Sequence, residues 1–156
     1  MDLTQLPWKD IVTIGAATLG AGLGIMNTWN SMSQTRVRLR VRPLHAFAIP
    51  SNEQMFSIEV INLSSFSVTI SDVGFSLSGQ RLQKGVRATI PQPIIIDGKP
   101  WPRRLEAREA VSVYLDPRAF IGTKAKLGKA YARTACGEVA YGDSPARQQL
   151  ARSLLA

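Results

Sequence analysis

RVRLRVRPL (Arg36–Leu44) alternates cationic and apolar residues directly after a long stretch without charge. In an extended chain, Val37, Leu39 and Val41 point to one side and the arginines point to the other. This two-residue period is typical of a strand with one buried face. The stretch therefore predicts that a β domain begins here.

The preceding stretch has the composition of a membrane span. No ionisable side chain occurs from Ile11 to Thr35, and the first sixteen of these residues are aliphatic residues, Gly, Ala, Thr and Met. Trp8 and Trp29 bracket the stretch 21 residues apart, which corresponds to roughly 31 Å of helix, close to the hydrocarbon thickness of a bilayer. We predict a leader over 1–10, a transmembrane helix over 11–30 and two interfacial tryptophan anchors.

Two alternatives to a membrane span stay open. A cleaved signal peptide normally has a basic start and a small-x-small cleavage site, whereas the leader carries Asp2, Lys9 and Asp10, and the apolar run ends in MNTWN. A helix buried in a partner or lying at a membrane interface is the other alternative, because glycine and threonine make the run only moderately apolar.

The basic residues around the apolar run predict its orientation. Only Lys9 precedes the run, whereas four arginines follow it in Arg36–Arg42. Because basic residues are retained on the cytoplasmic side, we expect an N-terminus outside the inner membrane and a cytoplasmic main domain. The single cysteine, Cys136, cannot form an intramolecular disulfide, which agrees with a reducing compartment.

The arginines of the first strand are candidate lipid contacts. Anionic headgroups attract cations beside a helix exit, at about 1 kcal/mol for each basic residue. The alternative is a solvated outer face on an edge strand, where charge discourages edge-to-edge pairing. The residues concerned are Arg36, Arg38, Arg40 and Arg42.

Small residues recur along one face of the predicted helix. Ala16, Gly20 and Gly24 follow one another at four-residue intervals, a spacing that allows close packing of a second helix. We therefore expect self-association in the membrane, with chance recurrence in a glycine-rich run as the alternative.

Further alternating runs predict an antiparallel β-sandwich over 36–142. MFSIEVIN (Met55–Asn62) places Phe56, Ile58 and Val60 on one face. SVTISDVGFSL (Ser67–Leu77) is expected to pair with it as a hairpin.

Turn residues separate the other predicted strands of the sandwich. A bulge is expected near Asp72–Gly74, and RRLEARE is expected to be a solvated loop in which Glu106 and Glu109 carry no paired-carboxylate chemistry. A hairpin turn is expected at Ala135-Cys136-Gly137, where Gly137 can supply a positive φ. The remaining strand predictions are VRATI (86–90), PIII (93–96), AVSVYLD (110–116), KAYART (129–134) and EVAYG (138–142).

Two short helical segments are predicted after the strands. Asp116-Pro117 begins a helical turn, and Ser144-Pro145 begins a C-terminal helix within 144–156. The apolar edge of this helix favours docking over an open end of the sandwich, with a membrane or a partner as the alternative contact.

Three segments, INLSSFSVTISDVGFSL, RRLEAREAVSVYLDP and AYARTACGEVAYG, carry a resemblance to a group of proteins. The chain resembles uncharacterised bacterial or prophage-encoded Ig-like β-sandwich proteins that follow an N-terminal membrane anchor. The resemblance implies this architecture over about residues 36–142, and it implies no activity and no site residue.

The sequence favours a binding protein over an enzyme. One histidine and one cysteine are too few for a Cys/His metal cluster, and no phosphate-binding or dinucleotide-binding glycine motif occurs, so we expect neither a metal nor a cofactor. The net charge of +8 indicates an anionic partner. We expect an anionic membrane, an unknown protein partner and a homo-oligomer. A membrane-tethered nucleic-acid-binding protein and a small phage-type membrane assembly component are the alternatives.

Overall fold

The computed structural model describes residues 8–48, 53–78, 86–120 and 126–154. The chain divides into two compact units, Met1–Arg36 and Val37–Ala156, called here the helical unit and the β unit.

The helical unit contains one long helix, α1, which runs from Trp8 to Gln34 and is longer at both ends than predicted. Its segment Trp8–Met32 is long and apolar enough to cross a membrane, a property that membrane anchors share with signal sequences. The threonine hydroxyls of the helix donate to carbonyl oxygens one turn back, as in Thr13 to Lys9 at 2.8 Å and Thr28 to Gly24 at 2.9 Å. These hydroxyls therefore need no water partner.

The described residues of the β unit form eight strands, which are arranged in two antiparallel sheets. A 3-10 turn over Pro117–Phe120 and a short helix, α2, over Pro145–Ser153 complete the elements. The strands are β1 (Leu39–Ala48), β2 (Glu53–Asn62), β3 (Val68–Ser78), β4 (Arg87–Thr89), β5 (Arg103–Leu105), β6 (Ala110–Leu115), β7 (Lys126–Thr134) and β8 (Val139–Gly142). The prediction of a mainly β protein with a long N-terminal helix and a short C-terminal helix is confirmed.

The first sheet has the strand order β1-β2-β6, and the second has the order β4-β3-β7-β8, with β5 also paired to β3. The inward side chains of both sheets form one core. Its centre is marked by the rings of Phe56 on β2 and Phe75 on β3, whose centroids lie 5.9 Å apart. Both rings are fully buried, as the alternating pattern of β2 predicts for Phe56.

Pairing between strands differs from the sequence prediction in one respect. β2 and β3 are not a hairpin, because β2 pairs with β1 and β6 whereas β3 pairs with β4, β5 and β7. The chain crosses from one sheet to the other between Asn62 and Val68, and the inward faces of both strands are thereby buried against each other.

Three local predictions also need correction. RRLEARE is not a solvated loop throughout, because Arg103–Leu105 forms β5 and Leu105 is fully buried. Pro93–Ile96 is not a strand, since within it a single bridge joins Ile94 to Tyr114. The bulge predicted near Asp72–Gly74 is replaced by two register shifts of β3 on either side of this position. They lie between Ile70 and Asp72 and between Phe75 and Leu77.

The C-terminal helix docks on the β unit. Ser144 caps α2 by accepting from the backbone N–H of Arg147, and its hydroxyl donates to the carbonyl oxygen of Pro43 at 2.6 Å. Leu150 is buried in the core. Arg147 donates to the carbonyl oxygen of Leu127 at 3.2 Å and pairs with Asp143 at 2.8 Å. The fold-back of this helix, which the sequence favoured, is confirmed.

Candidate functional site

The four candidate lipid-contact arginines are all exposed, and they alternate with residues that pack toward the core, as predicted. Arg40 and Arg42 lie on the outer face of the first sheet, where Arg42 is 3.6 Å from the carboxylate of Glu59 on β2. Arg38 precedes β1, and Arg36 is the last residue of the helical unit.

The candidate helix-association residues share one exposed face of α1. Ala16, Gly20 and Gly24 are separated by about one turn each, and a Cβ placed on either glycine meets nothing within 4 Å. The interfacial anchors Trp8 and Trp29 lie on the same helix and are 76% and 77% exposed. All of these residues present free surface within the described part of the helical unit.

A second group of residues was not predicted as a site, and it lies at the end of the β unit where β1 begins. The turns 63–67, 106–109 and 135–138 meet at this end. The first leads into β3, the second joins β5 to β6, and the third joins β7 to β8. We call this end of the β unit, with its three turns, the Asn62 end, after the buried residue at its centre.

The side chain of Asn62 holds two of these turns together. Its Nδ2 lies 2.7, 3.2 and 3.1 Å from the carbonyl oxygens of Phe66, Leu105 and Glu106, and its Oδ1 accepts from the backbone N–H of Ser64 at 2.9 Å. The Asn62 backbone carbonyl accepts from the N–H of Arg108 at 3.0 Å. Asn62 is fully buried, and its bonds to Leu105 and Ser64 are made away from water.

The first of these turns is also bonded to the chain that enters β1. The hydroxyl of Ser64 accepts from the backbone N–H of Arg38 at 2.8 Å, and the N–H of Leu63 donates to the Arg38 carbonyl oxygen at 2.7 Å. The third turn is attached to β3 through the N–H of Ala135, which donates to the Thr69 carbonyl oxygen at 2.8 Å. The Asn62 end is therefore a set of turns held in one arrangement by the side chains of Asn62 and Ser64 and by backbone hydrogen bonds.

Apolar and cationic side chains lie together at this end. Leu63 and Phe66, in the first turn, are each 36% exposed. Arg38, Arg104 and Arg108 are exposed at the same end, together with Glu106, which is 3.1 Å from Arg104, and Glu138. Arg108 has a backbone φ of 66°, a conformation that completes the tight turn between β5 and β6.

An ion cluster around the buried side chain of Arg103 stabilises the adjacent segment. Arg103, whose side chain is 6% exposed, places Nη2 at 2.9 Å from the carboxylate of Asp97 and at 3.0 Å from that of Glu109. Nε of Arg103 is buried without a hydrogen-bond partner. Glu109 also accepts from the backbone N–H of Glu106 at 2.7 Å, which, together with Arg103, lowers the pKa of this carboxyl.

The single cysteine lies exposed at the same end of the β unit, in the predicted turn where Gly137 has a φ of 94°. Its Sγ is 3.0 Å from the hydroxyl of Thr134, and this contact lowers the pKa of the Cys136 thiol. In the part of the chain that the structure describes, no three His, Cys, Asp or Glu side chains are arranged to hold a metal ion.

Comparisons of this chain with family models, with curated proteins and with solved structures find no match. The resemblance to prophage-type Ig-like proteins therefore stays a prediction.

Sequence reasoning missed the Asn62 end because its parts are distant in the chain. One signal was present, since Asn62 falls on the inward side of the alternation that buries Phe56, Ile58 and Val60. A polar residue at a core position requires several hydrogen-bond partners, and a loop crossing between sheets has many carbonyl groups to offer.

Proposed function

We propose that this protein is a single-pass inner-membrane protein whose β unit is an Ig-like, basic, cytoplasmic binding module that acts at the membrane surface. One observation carries the proposal. The 25-residue span Trp8–Met32 has none of its apolar window buried. Soluble proteins rarely leave a contiguous apolar surface of this kind in water, so lipid is its natural environment.

Hydrogen bonding within α1 supports a lipid environment. Threonine hydroxyls are costly in hydrocarbon unless they have partners. Thr13, Thr18 and Thr28 each donate to a carbonyl oxygen four residues earlier, at 2.5 to 2.9 Å. These threonine side chains thus add little to the free-energy cost of inserting the span.

The charge distribution supports the cytoplasmic assignment. Residues 36–42 contain four arginines, whereas residues 1–10 contain one lysine. Such a bias retains the arginine side in the cytoplasm.

The strand order supports an Ig-like sandwich. In Ig domains, strand B pairs with strand E in one sheet, and strands C, F and G lie side by side in the other. Here β2 pairs with β6, and β3, β7 and β8 are neighbours in that order. Under the Ig-like assignment, β2 and β6 correspond to strands B and E, and β3, β7 and β8 correspond to C, F and G.

Fusion reporters test the membrane assignment. Alkaline phosphatase fused after Ala156 should be inactive in a bacterial host, a fluorescent protein at the same position should fluoresce, and both fusions should remain in membranes washed with alkaline carbonate. Active phosphatase would refute the cytoplasmic orientation, and release by carbonate would refute the span. As a matched control, replacing Arg36, Arg38, Arg40 and Arg42 with glutamine should weaken the orientation preference without releasing the protein.

Partner capture tests the binding role. The full chain, solubilised in detergent with α1 intact, should retain anionic lipid or a protein partner through its β unit. Retention of nucleic acid in place of either, with binding that falls steeply as salt is raised, would favour the membrane-tethered nucleic-acid-binding alternative.

A further inference from the structure

We propose that the Asn62 end of the β unit seats on the anionic surface of the bilayer, with Leu63 and Phe66 at the headgroup boundary and Arg38, Arg104 and Arg108 among the phosphates. This inference rests on the proposed function, because it takes α1 as the membrane span. It names a contact surface that extends beyond the arginines of the first strand.

The length of the connecting chain favours this end. Gln34 ends α1 and Leu39 begins β1, five residues later. An extended chain covers at most about 3.5 Å per residue, so the linker holds the first residue of β1 within about 18 Å of the end of α1. The turn 63–67 is held close to this point, because Leu63 and Ser64 bond directly to the Arg38 backbone.

The chemistry of the Asn62 end fits an anionic interface. Two exposed apolar side chains at the tip of one turn can enter the headgroup boundary, where apolar area is favourable. The surrounding guanidinium groups can bind lipid phosphates through paired N–H donors. Arg104 keeps Glu106 as a neighbour at 3.1 Å, whereas Arg38 and Arg108 have no ion pair in the part of the chain described. Together with the exposed carboxylate of Glu138 in the third turn, the three arginines and Glu106 leave a net charge of +1 facing outward at this end.

The rigidity of this end also favours docking. A flexible loop loses conformational entropy when it orders on a surface. The turn that carries Leu63 and Phe66 is already ordered, because Asn62 bonds to the Phe66 carbonyl oxygen and to the Ser64 N–H. Seating this turn on lipid should require little further ordering of the backbone.

The outer face of the first sheet is the competing contact surface, and it fits less well. Arg42 lies 3.6 Å from Glu59, which reduces the positive field of that face.

Fluorescence quenching in vesicles tests the proposal on the full chain. The protein is reconstituted into phosphatidylcholine vesicles with and without phosphatidylglycerol, and a fluorophore is attached to Cys136, the sole cysteine, which is exposed at the Asn62 end. Lipids that carry a nitroxide on the headgroup should quench this label strongly when phosphatidylglycerol is present. A label moved to the opposite end, by Cys136→Ser with Glu53→Cys, should be quenched weakly.

Two matched variants test the residues. Leu63→Ser with Phe66→Ser, and separately Arg38→Gln with Arg108→Gln, should reduce quenching at Cys136. The arginine changes should lower the ratio of seated to unseated protein about fivefold each. The control pair, Phe47→Ser with Arg118→Gln, removes an apolar residue that is 63% exposed and a cation at the opposite end, and should leave quenching unchanged.

The outcomes separate this inference from the proposed function. Equal quenching of the two label positions, or quenching that does not depend on phosphatidylglycerol, in vesicles that retain the protein after a carbonate wash would overturn the Asn62-end contact alone. Loss of the protein from the washed vesicles would overturn the membrane span and the inference together. Circular dichroism of each variant in detergent confirms that the sheets are intact.

Discussion

The hydroxyl of Ser64 accepts a hydrogen bond from the backbone N–H of Arg38 at 2.8 Å. This bond joins the turn between β2 and β3 to the chain just before β1. Because Ser64 is itself bonded to Asn62, the position of Arg38 depends on a buried amide two residues earlier than the serine. The arrangement of the turns at the Asn62 end and the proposed lipid contact thus depend on the same few hydrogen bonds.

Removing the Asn62 amide should destabilise the β unit strongly. Asn62→Ala leaves the carbonyl oxygens of Leu105 and Glu106 without this donor in a buried site, and we expect a loss of about 3 kcal/mol in the free energy of unfolding. Ser64→Ala removes one hydroxyl and should cost about 1 kcal/mol. Denaturant unfolding of the full chain in detergent, followed by circular dichroism, measures both.

An exposed amide provides the control for this prediction. Gln54→Ala, on the exposed start of β2, should change the free energy of unfolding by less than about 0.5 kcal/mol. A similar cost for Asn62→Ala and Gln54→Ala would contradict the role assigned to Asn62.

The Arg103 cluster should respond asymmetrically to substitution. Neutralising both partners, with Asp97→Asn and Glu109→Gln, leaves a guanidinium that is 6% exposed without a counter-ion, and should cost about 3 kcal/mol. Arg103→Met leaves two carboxylates that still reach water, and should cost about 1 kcal/mol. The same unfolding measurement compares the two variants, and a larger loss for Arg103→Met would show that the arginine is not the costly partner.

Local features of the fold were predictable because they depend on neighbouring residues. The alternation of Val37, Leu39 and Val41 with arginines predicts the buried face of β1, and Ser144-Pro145 predicts the start of α2. Capping and strand periodicity act within a few residues of the chain.

Pairing between strands was less predictable because it is decided by distant residues. The alternation of β2 and β3 is equally compatible with a hairpin and with strands in facing sheets, and only burial of Phe56 against Phe75 distinguishes them. The ion pairs of Arg103 were hidden for a related reason. A charged run such as RRLEARE is expected to face solvent, and only the structure shows that Asp97 and Glu109 pair with Arg103.

Acid should destabilise the β unit through two carboxyls. The backbone N–H of Glu106 lowers the pKa of Glu109, and the guanidinium of Arg147 lowers the pKa of Asp143. Both carboxyls bind protons more weakly in the folded protein than in the unfolded chain. They therefore stabilise the fold fully at a pH above their ordinary pKa values of 4.5 and 3.8. This stabilisation is lost as the pH falls through their lower pKa values in the folded protein. The melting temperature should fall between about pH 5 and pH 3.

Neutral amides at these two positions test the assignment of the acid sensitivity. Glu109→Gln with Asp143→Asn should lower the melting temperature at neutral pH and flatten its dependence on pH in the acid range. An unchanged acid slope in this variant would assign the sensitivity to other carboxyls.

Bulk on the small-residue face of α1 should weaken association between copies of the chain. Gly20→Leu with Gly24→Leu raises the hydrophobicity of the span, so insertion should improve, yet leucine on this face prevents the close approach of a second helix. The matched control is Gly15→Leu with Gly22→Leu, which adds the same bulk off the face. A Cβ at each of these four glycines meets nothing within 4 Å, so neither pair should disturb the chain itself. In a membrane two-hybrid or crosslinking assay, the first pair should lower association and the second should leave it nearly intact.

Equal loss from both pairs, or no loss from either, would mean that the small residues reflect composition, and the protein would then act as a monomeric, tethered binding module.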